Sequence, residues 1–237
     1  MKFSIVIPFY NEEKNVLLVL NEFLKFVKNR NFELVCVNDG SKDQTGVCLK
    51  EAEASGRFPF MKAVSYDVNK GYGSAIMSGV SAAIGDVICW THADLQTDPA
   101  DVFRAYELYL QNIRDGKKCI IKGRRIERRF LESVLTGGMS TISSIVLGRI
   151  FREINAQPKL FGREFVAYLS KPPSDFSLDL YLLYIAKSKK YEIIDFLVEF
   201  GKRMHGTSKS APSFRGRLKT IWRTIKYIFR LRKNLNV

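Results

Sequence analysis

The sequence predicts an α/β protein built on an open, mostly parallel sheet flanked by helices, and three observations carry that expectation. Short apolar runs of strand length alternate with longer amphipathic stretches through the first 125 residues. Polar and glycine-containing segments follow the strand runs, where open parallel sheets bind ligands. With 237 residues, 46% of them hydrophobic, the chain can bury a substantial core.

"FSIVIPF" at residues 3–9 reads as a buried strand, and "NEEKN" opens a helix whose apolar stripe is Val16, Leu17, Leu20, Phe23, Leu24 and Val27. "FELVCVND" is the next strand, "SKDQTGVCLKEAEAS" a turn and helix, "FMKAVSY" a strand, and "GYGSAIMSGVSAAIG" a helix of small residues. "DVICWTH" reads as a strand. It is followed by a helix over 99–114, with Asp98 as its cap and Pro99 in its first turn, and by the strand "KKCIIKGR". From residue 125 the pattern loosens into a long apolar, helix-compatible stretch that Gly137 and Gly138 are expected to interrupt or bend. "DFSLDLYLLYIAKSKK" then reads as a helix and "YEIIDFLVEF" as a strand.

Composition bounds the partners. A formal net charge of +14 implies an anionic one, such as a nucleotide, a phosphorylated substrate, a nucleic acid or an acidic membrane surface. The four cysteines have no metal or redox spacing, and a reduced cytoplasmic setting is the simplest expectation. "MKFSIVIPFYNEE" has too short an apolar core for a signal peptide, and no run approaches the ~18 apolar residues of a spanning helix. Residues 210–237 carry Arg215, Arg217, Lys219, Arg223, Lys226, Arg230, Arg232 and Lys233 without an acidic residue. Their apolar partners, Trp222 among them, fall on helical spacing. That pattern fits an interfacial helix on anionic lipid, or a helix docked on the protein's own core.

Polar residues collect at the predicted carboxyl ends of four strands: Tyr10 and Glu12, Asn38 and Asp39, Asn69 to Gly73, and His92 to Gln96. In an extended backbone His92, Asp94 and Gln96 would project to one side as a small polar patch. Each loop alone also has an ordinary reading as a turn or helix cap. Their recurrence at one sheet edge is the argument for a site.

"IVIPFYNEE", "VNDGSKDQT", "NKGYGSAI" and "HADLQTDP", in that order, resemble the nucleotide-sugar-binding half of family 2 glycosyltransferases with the GT-A (Rossmann-like) fold, in particular the dolichol- or polyprenyl-phosphate sugar synthase branch. "KGRR", "RFLES" and "VEFGKRMHGTSK" extend the resemblance to residue 209, so that 1–209 is expected to be the GT-A domain and 210–237 an appended basic amphipathic helix. The resemblance implies that Pro8, Tyr10 and Glu12 line the nucleoside pocket. Val37 and Asp39 would hold the base, and His92, Ala93 and Asp94 would lie along the ribose and diphosphate. Asp94 with Gln96 would ligate Mg²⁺ or Mn²⁺. Arg125, Arg203 and Lys209 would contact donor or acceptor phosphates, and Arg129 and Ser133 would receive the acceptor head group.

Two departures stand out. His92 occupies the place of the first carboxylate of the family's Asp-x-Asp, and "NAQPKLFGREF" replaces the usual acceptor loop, with Asn155, Gln157 and Lys159 as candidate contacts. The implied reaction is inverting transfer of a sugar from a nucleoside-diphosphate sugar. A lipid-phosphate acceptor needs no strong base, whereas a hydroxyl acceptor, as in surface polysaccharide synthesis, needs a carboxylate, for which Asp179 is the candidate. The expected place of action is the inner face of the membrane, as a peripheral protein. A nucleic-acid binder using the basic tail, or a sugar-nucleotide binder without activity, are the rival readings. The first leaves the four loops unexplained, so nucleic acid is not the expected partner.

Overall fold

The strands are β1 (Phe3–Phe9), β2 (Phe32–Asp39), β3 (Met61–Tyr66), β4 (Val87–Trp90), β5 (Cys119–Arg125), β6 (Lys159–Gly162) and β7 (Glu192–Val198). They form one sheet in the order β3-β2-β1-β4-β6-β5-β7. Pairing is parallel throughout except at β6, which runs antiparallel to both β4 and β5. The computed structural model describes residues 1–126, 130–201 and 214–233, and only the backbone of 130–137, 139 and 214–221.

Strand alternation divides the core into two layers. Phe3, Ile5, Ile7 and Phe9 of β1 face a cluster with Val16, Leu20 and Phe23 of α1 (Glu13–Leu24), Leu49 of α2 (Thr45–Ala54), and Val102 and Phe103 of α4 (Pro99–Arg114). Val6, pointing the opposite way, meets Ala75, Ile76 and Val80 of α3 (Tyr72–Ala82) and the α6 helix (Ser177–Ser188) on the other face. Helices thus cover both faces, as buried parallel strands require. Asp98 caps α4 by accepting from Ala100 N–H at 2.8 Å, with Pro99 at its first position, as the sequence predicts.

Three expectations are corrected. The α5 helix (Phe130–Leu147) runs unbroken for 18 residues through Gly137 and Gly138, because a glycine pair at about 1 kcal/mol each weakens a helix of this length without ending it. The strand β6 lies in what reads as an acceptor loop; its four residues are buried on both faces, so no alternation announces it, and a fully buried Lys159 disguises it further. The β4 strand stops at Trp90, and Thr91–Gln96 is a loop rather than its extension.

The chain's α7 helix (Phe214–Lys233) lies against α5. Ile228 and Leu231 are buried in the same cluster as Leu147 and Leu183, and Arg223 pairs with Asp175 at 2.8 Å. Burial of two such side chains contributes roughly 1.5–3 kcal/mol each to holding this half of the helix on the protein. Trp222 and Phe229 remain 63% and 56% exposed. Among the described residues no helix is long and apolar enough to cross a membrane. The four cysteines are free, with Cys36, Cys89 and Cys119 buried.

Candidate active site

The parallel strands β1, β2 and β4 end at one edge of the sheet, and their loops interlock there. Pro8 and Val37 are register partners, which places two of the expected nucleoside-pocket residues side by side. Beyond them, Asn11 turns into the left-handed region (φ 53°). Its N–H donates to Ser41 Oγ at 3.0 Å, Lys42 N–H donates to Asn11 Oδ1 at 2.7 Å, and Glu12 N–H donates to Thr45 Oγ1 at 2.8 Å. Asn15 Nδ2 donates to the Glu12 carboxylate at 2.5 Å. Tyr10 and Glu12 are thereby held half-buried at the mouth of the strands.

Asp39 is 3% exposed at the end of β2, and its carboxylate accepts from Lys70 N–H at 2.8 Å, Gly71 N–H at 3.0 Å and Asn69 Nδ2 at 2.9 Å. Burial raises its pKa, and the Lys70 and Gly71 amides partly offset that. Gly40 makes the approach possible. It lies at φ 65°, and a Cβ there would sit 2.3 Å from Asn69 N. Asp39 therefore ties the loop before α3 to the end of β2, a structural duty beyond the base-reading role expected from sequence.

The loop after β4 departs from the sheet once Thr91 N–H has bonded Val6 O at 3.1 Å. Asp94 Oδ1 accepts Gln96 N–H at 3.2 Å in a tight turn, Leu95 adopts φ 53°, and the Thr91 and Thr97 hydroxyls meet at 3.4 Å. His92, Asp94 and Gln96 are thus presented by a folded loop, not by strand alternation. Asp94 and Ala93 are buried, His92 and Gln96 half-buried. Gln96 Nε2 donates to Gly201 O at 3.0 Å, which leaves its Oε1 as the amide's acceptor. Burial lowers the His92 pKa, while the Asp94 and Asp179 carboxylates pull it back upward.

Beneath His92 lies a closed polar cluster. Asp179 is 1% exposed and accepts from Lys159 Nζ at 2.8 Å, Trp90 Nε1 at 3.2 Å and Gln157 Nε2 at 3.3 Å. Gln157 also donates to the Tyr72 hydroxyl at 3.0 Å, and the Tyr72 ring stacks on Phe176 and lies 5.8 Å from the His92 ring. Burial, reinforced by Asp179, holds the Tyr72 phenol protonated with a pKa well above its ordinary value. Burial pulls Lys159 down to about 8 against the attraction of Asp179. Asp179 is thus withdrawn from solvent. Its oxygens are occupied by fixed donors, and its place on α6 is core. Lys159 and Gln157, both 0% exposed, belong to this cluster rather than to an acceptor loop.

At the end of β5, Arg125 Nη2 donates to Asn155 O at 2.6 Å and its guanidinium lies 4.3 Å from the Phe200 ring centroid. Lys122, 2% exposed, pairs with Asp195 at 3.2 Å. Arg129, Arg203 and Lys209 lie outside the described residues, as does the side chain of Ser133, whose backbone is in α5. Sequence reasoning missed Tyr72, Trp90 and Lys122. Tyr72 stands inside the glycine-rich "NKGYGSA", and Trp90 borders the His92 loop; those neighbours were the available signal.

Among the described residues no group of three or more His, Cys, Asp or Glu side chains could hold a metal ion. What the loop offers is one carboxylate, Asp94, and one amide oxygen, on Gln96. Such a hard, sparse oxygen set suits a Mg²⁺ or Mn²⁺ ion that takes its other ligands from substrate phosphates and water.

Comparison with known proteins agrees with this architecture. Residues 4–160 match the family model Glycosyl transferase family 2, and the chain belongs to that family. A dolichol-phosphate mannosyltransferase of Pyrococcus furiosus is 30% identical over 98% of this chain and 64% of its own length. A dolichyl-phosphate beta-glucosyltransferase of Trichomonas vaginalis is 27% identical over 84% of this chain and 65% of its own. The chain thus spans a little under two thirds of the length of these relatives. A solved structure of glucosyl-3-phosphoglycerate synthase from Mycobacterium tuberculosis, in complex with Mn²⁺, uridine diphosphate and glucosyl-3-phosphoglycerate, superposes with a TM-score of 0.72 at 21% identity, covering 98% of this chain and 79% of that one. That likeness shows the shared fold, the GT-A type with a mostly parallel seven-stranded sheet between helices.

Proposed function

We propose that the protein is an inverting glycosyltransferase that moves a sugar from a nucleoside-diphosphate sugar to a polyprenyl phosphate at an anionic membrane surface. The observation that carries the acceptor class is the Lys159–Asp179 pair. Asp179, the carboxylate expected from sequence to serve as a base for a hydroxyl, is buried and held by a lysine, an indole and an amide. A lipid phosphate is already an anionic nucleophile and requires no such base. The names of the relatives, both transferases of dolichol phosphate, support the same acceptor.

In this reading the donor's nucleoside lies over Pro8, Tyr10, Glu12 and Val37, with Asp39 at the base and His92 and Ala93 along the ribose and diphosphate. Asp94 and Gln96 would hold the divalent ion, which when bound neutralises charge on the departing nucleoside diphosphate. The acceptor's phosphate oxygen attacks the anomeric carbon on the face opposite the diphosphate. A carbon–oxygen bond forms, the bond to the diphosphate breaks, and the nucleoside diphosphate carries away the electron pair. Arg125, Arg129, Arg203 and Lys209 supply positive charge to the two phosphate groups, and Ser133 a hydroxyl to the acceptor.

The basic α7 helix supports a peripheral seat on the cytoplasmic face of the membrane. Ile228 and Leu231 fasten it to the protein, while Trp222 and Phe229 point apolar surface outward beside Lys226 and Arg230. The direct test is a panel of nucleoside-diphosphate sugars offered with undecaprenyl phosphate and Mn²⁺. A radiolabelled sugar extractable into organic solvent is the expected result. Label appearing only in free sugar or in a water-soluble glycan contradicts the proposal.

A further inference from the structure

A cleft of about 580 Å³ opens at the carboxyl end of β5, between α5 and residues 150–153. Its lining brings together Arg124, Arg125 and Arg152, the single carboxylate of Glu153, and the apolar Ile145 and Ile150. Three guanidiniums against one carboxylate favour an anion. Among the described residues neither Arg124 nor Arg152 has an ion-pair partner, and both are exposed. Ile145 and Ile150 are 74% and 68% exposed, large apolar side chains left in water beside those cations.

The cleft is preformed. Ser144 Oγ donates to Ser140 O at 2.6 Å and accepts Phe151 N–H at 2.8 Å, which fixes the 150–153 wall to α5. It is also contiguous with the donor side. Lys159 is the register partner of both Trp90 and Lys122, so the ends of β4 and β5 flank a single strand, and Arg125 forms a shared wall whose charge acts on His92 and Lys159. An anionic head joined to a hydrocarbon chain matches a lining that combines guanidiniums with exposed isoleucines, whereas a free sugar or a nucleotide matches only the polar part of it.

We propose that this cleft seats the acceptor, with Arg124 and Arg152 holding its phosphate beside Arg125 and Ile145 and Ile150 taking the first isoprene units. The proposal rests on the reading of the protein as a lipid-phosphate glycosyltransferase and extends the acceptor site from Arg129 and Ser133 to Arg124 before them and to Ile145, Ile150 and Arg152 at and beyond the far end of α5. The probe is farnesyl phosphate, titrated calorimetrically into the full chain, with farnesol and inorganic phosphate as its two halves. The R124A/R152A variant is expected to weaken farnesyl phosphate at least tenfold. The I145S/I150S variant should weaken farnesyl phosphate but leave inorganic phosphate unchanged. Both should raise the KM for undecaprenyl phosphate while leaving nucleoside-diphosphate affinity as in the unmodified protein.

Equal binding of farnesyl phosphate by all three proteins, or none by the unmodified one, overturns the site. So does loss of anionic-vesicle binding in R124A/R152A with an unaltered acceptor KM, which marks a phospholipid contact instead. Turnover on undecaprenyl phosphate that neither variant disturbs removes the cleft and keeps the activity. Arginine-dependent binding of farnesyl phosphate without any transfer to undecaprenyl phosphate upholds the cleft and contradicts the activity.

Discussion

Lys159 Nζ lies 2.8 Å from Asp179 Oδ1, and both side chains are withdrawn from solvent directly beneath the loop that carries His92 and Asp94. A buried pair of this kind is costly to break, because removing one partner strands the other's charge, at about 3–5 kcal/mol. Lys159→Met is accordingly expected to lower thermal stability sharply, and Asp179→Asn to do the same with Lys159 left unmatched. If Asp179 were a base, Asp179→Asn would instead abolish turnover in a correctly folded, equally stable protein.

The same pair sets a pH dependence. The folded-state pKa of Lys159 is depressed to about 8 by burial, below that of the unfolded chain, so the folded protein releases this proton first. The contribution of Lys159 to stability therefore rises with pH from about 8 towards the ordinary lysine value near 10.4, as the unfolded state alone still binds this proton. The difference in unfolding free energy between the unmodified protein and Lys159→Met, followed across pH 7–10.5, should grow in favour of the unmodified protein. A flat difference contradicts the depressed Lys159 pKa.

Asp39→Asn replaces one acceptor oxygen with a donor facing the Lys70 and Gly71 amides or Asn69. The expected cost is about 1–3 kcal/mol of stability together with weaker nucleotide binding. Chemical denaturation and calorimetry on one preparation check both, and loss of binding with unchanged stability assigns the carboxylate to the base alone.

Asp94→Ala should remove the Mn²⁺-dependent part of nucleoside-diphosphate binding. Gln96→Ala should reduce it less, since it deletes a neutral ligand while also freeing Gly201. Calorimetry with Mn²⁺ and with EDTA measures the difference. Metal-independent binding that neither substitution changes excludes the ligand role.

Trp222→Ser and Phe229→Ser, both at exposed positions, should lower binding to anionic vesicles with little change in melting temperature. In the unmodified protein Trp222 fluorescence should shift to the blue when vesicles are added. Deleting residues 210–237 is the less informative change, because it also removes Ile228 and Leu231 from the core and should cost stability on its own.

Much of this was legible in the sequence because period-two and period-3.6 patterns map directly onto burial. The first three strands and α4 fall where the apolar runs place them, and Asp98 caps as its residue type suggests. Loops that gather at a parallel sheet's carboxyl edge were visible for the same reason. What escaped depends on contacts between distant segments. The strand β6 has no alternation to display, and a lysine at its first position reads as surface until Asp179, twenty residues on, is seen to neutralise it. Asp179 itself sits on a helix with no polar face, since α6 is buried from Ser177 through Tyr184. The His92 loop deceived in the opposite sense. Its apolar approach implies an extended run, but the Asp94 turn and the left-handed Leu95 fold it back.

The measurement that bears most directly on the account is the linkage formed by transfer. The full chain, supplied with its best sugar nucleotide, Mn²⁺ and an equimolar mixture of undecaprenyl phosphate and undecaprenol, should convert only the phosphate. The product should give a phosphodiester signal by ³¹P NMR and release its sugar in mild acid. A sugar joined to undecaprenol by a glycosidic bond, with the phosphate untouched, would mean that a base exists for a hydroxyl acceptor and that the buried Lys159–Asp179 pair does not exclude one.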